Sequence, residues 1–220
     1  MNINIFPAIR VAGIAGFFGL VSLPALATNY QIDGAHSRVG FSVKHMMVTN
    51  VKGAFKAFSG TVSVDDADVT KASVKVEIDV GSIDTSNEKR DEHLKGADFF
   101  DAAAHPKMTF ASTSVQKQGG KLLVTGDLAL HGVTKPVTLT VDGPSKEWTN
   151  PWGQVVRGAS VTGKLSRKDF GISFSKVTEA GGVVVGDEIK LEFDLELTKV
   201  AEAKPADAKP ADAKPADAKK

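Results

Sequence analysis

Cysteine is absent from all 220 residues, so no disulfide staples the fold, and an oxidising compartment is neither required nor contradicted. Tyrosine occurs once and tryptophan twice, against 12 phenylalanines, so bulk in the interior comes with few hydrogen-bonding handles. Charge of one sign is missing too: 27 basic and 26 acidic side chains leave a net charge of +1, without a clustered block. Nucleic-acid capture, which needs concentrated positive charge to release counterions, is thereby excluded as a leading function. The five histidines, His36, His45, His93, His105 and His131, show neither HxH nor HExxH spacing, and no metal site is expected. There is also no Gly-x-Ser-x-Gly elbow. A hydrolase stays open only because Ser, His and Asp can meet in space without a sequence signature.

What is present divides the chain into three. Residues 1–10 hold one positive charge, residues 11–23 are almost wholly apolar, and Ala25-Leu26-Ala27 offers the small residues a signal peptidase reads. The apolar run is shorter than the roughly 20 residues a bilayer core needs, so residues 1–27 are expected to be a signal peptide cleaved near Ala27. The mature protein is then periplasmic or secreted. At the other end, Lys-Pro-Ala-Asp-Ala recurs from Lys204, Lys209 and Lys214. A proline every five residues with no large apolar side chain cannot build a core, so residues 201–220 are expected to be a disordered tail.

Residues 28–200 are dominated by alternation at period two. Val74, Val76, Ile78 and Val80 share one face against Lys75, Glu77 and Asp79; Ile189, Leu191, Phe193, Leu195 and Leu197 repeat it against charged neighbours. Similar runs occur at Val39, Phe41 and Val43; at Phe58, Val62 and Val64; at Leu122, Val124, Leu128 and Leu130; at Val137, Leu139 and Val141; and at Ala159, Val161 and Leu165. Met108 and Phe110 begin another that turns polar at Ser112 and Ser114. The pattern predicts about eight strands, each roughly ten to fourteen residues long. Phe55 and Phe58 have opposite parity, so a bulge between them is expected if both point inward. Turns are marked by Asp65-Asp66, Gly119-Gly120, Gly143-Pro144 and Gly181-Gly182.

One segment departs from the β pattern. Thr85-Ser86-Asn87-Glu88 matches a capping box that predicts a helix to about Lys95, stopped by Gly96, with Phe99 and Phe100 covering one end of the sheets. Strand period alone leaves a closed barrel and a filled sandwich both open; barrel closure removes edges and, with eight strands, leaves room for side chains or one ligand. Gly126 and Gly163 fall on the apolar face, where glycine marks either curvature or a close approach. His45 shares the parity of Phe41 and Val43 and is expected to point inward. Arg90, Asp91 and His93 are the densest ionisable group outside the tail, and Arg167 and Asp169 form a second; with His36 and His131 they are candidates for a polar head-group contact or a structural network.

The residues also resemble a known family in six pieces kept in order. Ile32-Asp33-Gly34-Ala35-His36-Ser37 leads to Val39-Gly40-Phe41-Ser42-Val43-Lys44-His45, and Val51-Lys52-Gly53-Ala54-Phe55-Lys56-Ala57-Phe58-Ser59-Gly60 follows. Arg90-Asp91-Glu92-His93-Leu94-Lys95-Gly96-Ala97-Asp98-Phe99-Phe100-Asp101, running on to His105-Pro106-Lys107-Met108-Thr109-Phe110, is the most specific piece. Gly126-Asp127-Leu128-Ala129-Leu130-His131-Gly132-Val133-Thr134-Lys135-Pro136-Val137, Arg167-Lys168-Asp169-Phe170-Gly171 and Val185-Gly186-Asp187-Glu188-Ile189 complete the order. From Tyr30 to Leu197 the chain resembles the bacterial YceI-like, or polyisoprenoid-binding, proteins. Gly96, where relatives commonly carry serine, and the repeat tail depart from that pattern. The resemblance implies an all-β, eight-stranded antiparallel lipocalin-like β-barrel with a short helix-bearing insertion. It also implies a pocket for a long-chain isoprenoid or other amphiphilic lipid, such as a polyprenyl lipid or isoprenoid quinone. Apart from the resemblance, the residues lead to the expectation that no cofactor is required and no residue is catalytic, and a lipid partner adds the expectation of transient membrane contact. The lining expected on this reading is Val39, Phe41, Val43, His45, Phe55, Phe58, Val62, Val76, Ile78, Phe99, Phe100, Phe110, Leu128, Leu139, Val161, Leu191 and Phe193. A non-enzymatic interaction domain with a filled core is the remaining alternative.

Overall fold

Period-two alternation becomes strand almost everywhere it occurs, because a pleated strand sends successive side chains to opposite faces and only one face here is apolar. A computed structural model describes residues 27–176 and 183–201; the expected signal peptide up to residue 26, the Gly181-Gly182 turn and the repeat tail from residue 202 lie outside the described residues. In chain order the elements are β1 (Thr28–Ile32), β2 (Arg38–His45), β3 (Thr49–Phe55), β4 (Phe58–Val64), β5 (Ser73–Asp79), β6 (Ile83–Asp84), α1 (Glu88–Lys95), β7 (Lys107–Gln118), β8 (Lys121–Leu130), β9 (Val133–Asp142), β10 (Trp148–Thr149), β11 (Val155–Ser166) and β12 (Val185–Lys199).

Hydrogen bonding runs from β11 through β9, β8, β7, β5, β4 and β1 to β12, and β12 pairs back onto β11. That closes an eight-stranded antiparallel barrel. The free edge of β12 is shared: its last residues, Leu197 to Lys199, pair with β1, while Ile189 to Asp194 pair with β2. Beyond β2 the sheet continues into β3 and the two-residue β6, and the chain then enters α1. β10 is a short flap on β11.

Three expectations need correcting. The strands are less uniform than predicted: β7 and β11 have 12 residues and β12 has 15, but β1 has 5 and β6 and β10 have 2 each. Phe55 and Phe58 are not joined by a bulge; β3 ends at one and β4 begins at the other, so the chain turns between them and each aromatic keeps its own strand's phase. A true bulge lies in β7, where the register against β8 shifts between Ser112 and Ser114. One extra residue flips the alternation, which returns Val115 to the interior after a polar stretch. The Ser112 hydroxyl meanwhile accepts the Val74 amide at 2.8 Å.

The third correction concerns the helix start. Asn87, not Thr85, is the N-cap, its side chain accepting the Arg90 amide at 3.0 Å. Thr85 is committed elsewhere: its amide and hydroxyl both donate to Asp91 Oδ1, at 3.0 and 2.5 Å. Gly96 does follow the helix, with its amide on the His93 carbonyl, but at φ −73° it has no need of glycine's left-handed freedom.

Candidate functional site

Alternation places an apolar side chain at every second position of the ring, and the resulting interior is not full. Leu191, Phe193, Leu195 and Leu197 from β12 face Ala159, Val161 and Leu165 from β11 and Val137, Leu139 and Val141 from β9; Leu122, Val124, Leu128, Met108, Phe110 and Val115 continue the wall through β8 and β7. Between them lies a cavity of about 160 Å³ in which every lining residue is apolar. That is room for on the order of ten water-sized groups. Leu139, Leu191, Phe193 and Leu195 point inward yet are only half-buried, as side chains facing unfilled space must be. Gly126 and Gly163 do not open this space. A Cβ at Gly126 would fall 2.5 Å from the Phe110 ring, and one at Gly163 would fall 2.7 Å from Leu139, so each glycine seats a neighbour's bulk.

A second apolar chamber, about 100 Å³, lies toward α1. Val43, Val185 and Ile189 face Leu94, Phe99 and Phe100 across it. Phe41, Phe55, Met108, Leu165 and Leu191 line both chambers, so these five side chains form a neck. Phe99 packs on Phe174 with centroids 4.7 Å apart, and the His93 ring stands edge-on to both. The segment after α1 therefore covers this end of the barrel with aromatic carbon.

At the opposite end Val64, Val69, Leu122 and Pro144 line the main cavity and also an open vestibule of about 620 Å³. Its other walls are polar: Asp66, Lys117, Gln118, Lys121, Ser145, Lys146, Glu147 and Arg157.

Of the residues expected to line a pocket, Val39, Phe41, Phe55, Val62, Val76, Ile78, Phe110, Leu128, Leu139, Val161, Leu191 and Phe193 line the main cavity; Val43, Phe99 and Phe100 line the second. Two do neither. Phe58 packs among the side chains joining the two hydrophobic clusters, because its strand starts after the turn. His45, at the end of β2, pairs with Thr49 and Val185 outside both chambers, since the strand has by then run past the enclosed space.

The polar candidates do not converge on one site. Arg90 donates from Nε to the Thr85 hydroxyl and from Nη2 to the Thr85 carbonyl, both at 2.7 Å. With buried Asp91 these bonds fasten α1 to the β6 end, a structural network. His93 bonds Asp98 at 2.9 Å. His131 Nδ1 lies 3.1 Å from the Phe170 carbonyl, with its ring 5.0 Å from that of His105. Arg167 is buried and lines the second chamber, but its guanidinium is held by the carbonyls of Gly186 and Ile172 and by Asp187. Asp169 is exposed on the short turn that follows. His36 bonds Asp33 at 2.9 Å, an exposed contact that raises the imidazole pKa and lowers that of the carboxyl.

Asp33, His36 and Glu196 bring three potential ligand atoms within 4.8 Å of one another. His36 is exposed, the two carboxylates are half-buried, and His36 is already engaged by Asp33. Among the described residues no serine hydroxyl is hydrogen-bonded to a histidine ring.

The cluster that sequence reasoning missed stands beside the vestibule, where Glu147 and Arg157 form part of the wall. Tyr30 is fully buried, donates to Glu147 at 2.7 Å, and lies under the Arg157 guanidinium carbon, 5.2 Å from the ring centroid. Burial first, then the bond to Glu147, pushes the phenol up to about 12. The same hydrogen bond, with that from Lys199, holds the Glu147 carboxyl low. Arg157 Nη2 contacts both Asp66 oxygens at 2.8 Å, while its buried Nε has no hydrogen-bond partner among the described residues. Part of the signal was legible, since Arg157 shares the inward parity of Ala159 and Val161 and Tyr30 is the chain's one tyrosine, but nothing in the sequence brings the two together.

This architecture, an eight-stranded barrel with β1 and β2 sharing one edge of β12 and a helix before β7, matches known proteins. A YceI-like domain covers residues 30–197. The chain belongs to the YceI-like family. Its relatives include a UPF0312 protein of Photorhabdus laumondii, 41% identical over 160 residues that span 71% of this chain and 82% of that protein. Among solved structures, Burkholderia cenocepacia BcnA superposes with a TM-score of 0.64 at 29% identity, covering 75% of this chain and 98% of BcnA. The YceI-like fold is shared as well with a polyisoprenoid binding domain from Saccharophagus degradans (TM-score 0.54, 18% identity, 78% of this chain and 98% of that one).

Proposed function

We propose that this YceI-like barrel binds the hydrocarbon tail of a long-chain isoprenoid or related amphiphilic lipid, and stores or carries it after export to the periplasm or beyond. One observation carries the reading: an interior of about 160 Å³ lined by apolar residues alone and opening toward a polar vestibule. Such a space offers a hydrocarbon dispersion contact without desolvating any polar group. Each buried methylene-sized unit contributes about 0.8 kcal/mol, whereas an exposed head-group ion pair contributes about 0–1 kcal/mol. Tail length therefore dominates recognition even after association costs. The lining named above, from Val39 and Phe41 to Leu191 and Phe193, is the proposed tail site, with a polyprenyl lipid or isoprenoid quinone as cargo rather than cofactor. The S. degradans domain shares only the fold, which is compatible with such cargo. A filled-core interaction domain fits poorly with the cavity.

Native mass spectrometry of protein purified from its producing cells, followed by lipid extraction, tests the reading. One lipid per chain is expected, or uptake of one on adding a prenyl lipid. Apo protein that takes up none rejects it. The intact mass also reports whether the chain begins near Thr28.

A further inference from the structure

The chain's two tryptophans are both exposed, Trp148 by 73% and Trp152 by 77%. Both belong to the flap at the vestibule: Trp148 follows Glu147 and pairs with Val156, beside Arg157. The flap is well held. Asn150 Oδ1 accepts the amides of Trp152 and Gln154 at 3.1 and 2.9 Å, Asn150 Nδ2 donates to Gln154 Oε1 at 3.0 Å, and the Asn150 amide bonds the Gln154 carbonyl. Four hydrogen bonds thus hold the loop that presents the Trp152 indole to water. Indoles favour the boundary between head groups and acyl chains, where the ring is half-buried and its N–H stays wet.

Charge on the same rim agrees. Lys117, Lys121 and Lys146 are exposed around the vestibule. The acidic groups there are already engaged: Asp66 by Arg157, Glu147 by Tyr30 and Lys199, and Asp142 by Lys121 at 3.3 Å. Lys117 and Lys146 form no ion pair among the described residues. Below them Val64, Val69, Leu122 and Pro144 lead into the apolar cavity.

We propose that the Trp148–Trp152 flap and the Lys117/Lys146 rim form a docking face for an anionic phospholipid bilayer, setting the mouth of the cavity against the lipid surface. This goes beyond binding of a lipid inside the barrel, which alone requires no exposed indole. The other exposed apolar tip, Met46-Met47-Val48 between β2 and β3, lies at the far end beside the second chamber and serves as the control.

Both tryptophans lie on the proposed face, so intrinsic fluorescence reads the docking directly. The full chain, with its N terminus established by mass, is mixed with phosphatidylcholine vesicles carrying about one-third phosphatidylglycerol. The expected result is a blue shift in emission, quenching by brominated acyl chains, and cosedimentation that weakens with salt. Lys117→Glu with Lys146→Glu should weaken vesicle partitioning by about fivefold or more per site, and Trp148→Ala with Trp152→Ala by about tenfold or more. Met47→Ser with Val48→Ser should leave it unchanged. Unshifted emission, or binding that survives the Trp and Lys changes, or binding lost only in the Met47/Val48 variant, overturns the proposal. Prenyl-lipid uptake from vesicle-free solution, measured on the same variants, stays at the parent level if docking alone is altered, and so separates this outcome from failure of the cargo reading.

Discussion

Tyr30 is the most informative single residue because it is both unique and buried. The phenol's folded pKa near 12 exceeds the ordinary value of about 10, so the fold favours the neutral form. Below pH 10 both folded and unfolded chains are neutral there, and the full contribution is present. Between about 10 and 12 the unfolded chain ionises first and stability is lost, by on the order of 2 kcal/mol. Absorbance at the phenolate band should show a single transition near 12 in the native protein and near 10 in denaturant; a native transition near 10 would mean that the Glu147 contact and burial are wrong.

A second residue-scale test uses space instead of charge. Val141 points inward, lines the main cavity and is half-buried. Overpacking a full core typically costs about 1–3 kcal/mol, but Val141→Phe enters a void. The expected melting temperature is unchanged or higher while lipid uptake falls. Strong destabilisation would show that the space is not there.

Among the elements, α1 depends on side-chain anchors more than on its own propensity, since eight residues are too few to be stable alone. Asn87→Ala removes the N-cap and should cost about 1 kcal/mol. Asp91→Ala strips the acceptor from the Thr85 amide and hydroxyl in a buried setting and should cost more, about 1–3 kcal/mol, with faster amide exchange confined to α1 and the Phe99-Phe100 segment. Equal losses from the two changes would contradict this division of roles. The start of α1 was only half legible in the sequence. The spacing Thr85 to Glu88 fits a capping box, but Thr85 has a competing partner that comes into reach only when α1 folds back on β6. The β7 bulge was illegible for a related reason. Ser112 and Ser114 look like a polar strand end until the register with β8 shows the alternation changing phase and resuming at Val115.

At the scale of the whole molecule, two apolar chambers meet at a neck that includes Phe41 and Phe55, whose rings lie 5.7 Å apart. A short tail fits within the main chamber, and a longer one must pass the neck. Phe41→Leu is expected to raise the preference for long over short prenyl chains several-fold, compared by competition uptake. Gly53→Val should lower it, because a Cβ at Gly53 falls 2.5 Å from the Phe41 ring and drives it inward. An unchanged ratio in both variants would place the tail elsewhere.

Sequence alone established the all-β class, the inward face of most strands and the apolar character of the lining, because strand periodicity and side-chain polarity are local properties that survive in a linear chain. Closure of the ring, the unfilled centre, the turn separating Phe55 from Phe58 and the meeting of Tyr30 with Glu147 and Arg157 were settled only in three dimensions. Each depends on which strands become neighbours and in what register, and no residue carries that information by itself.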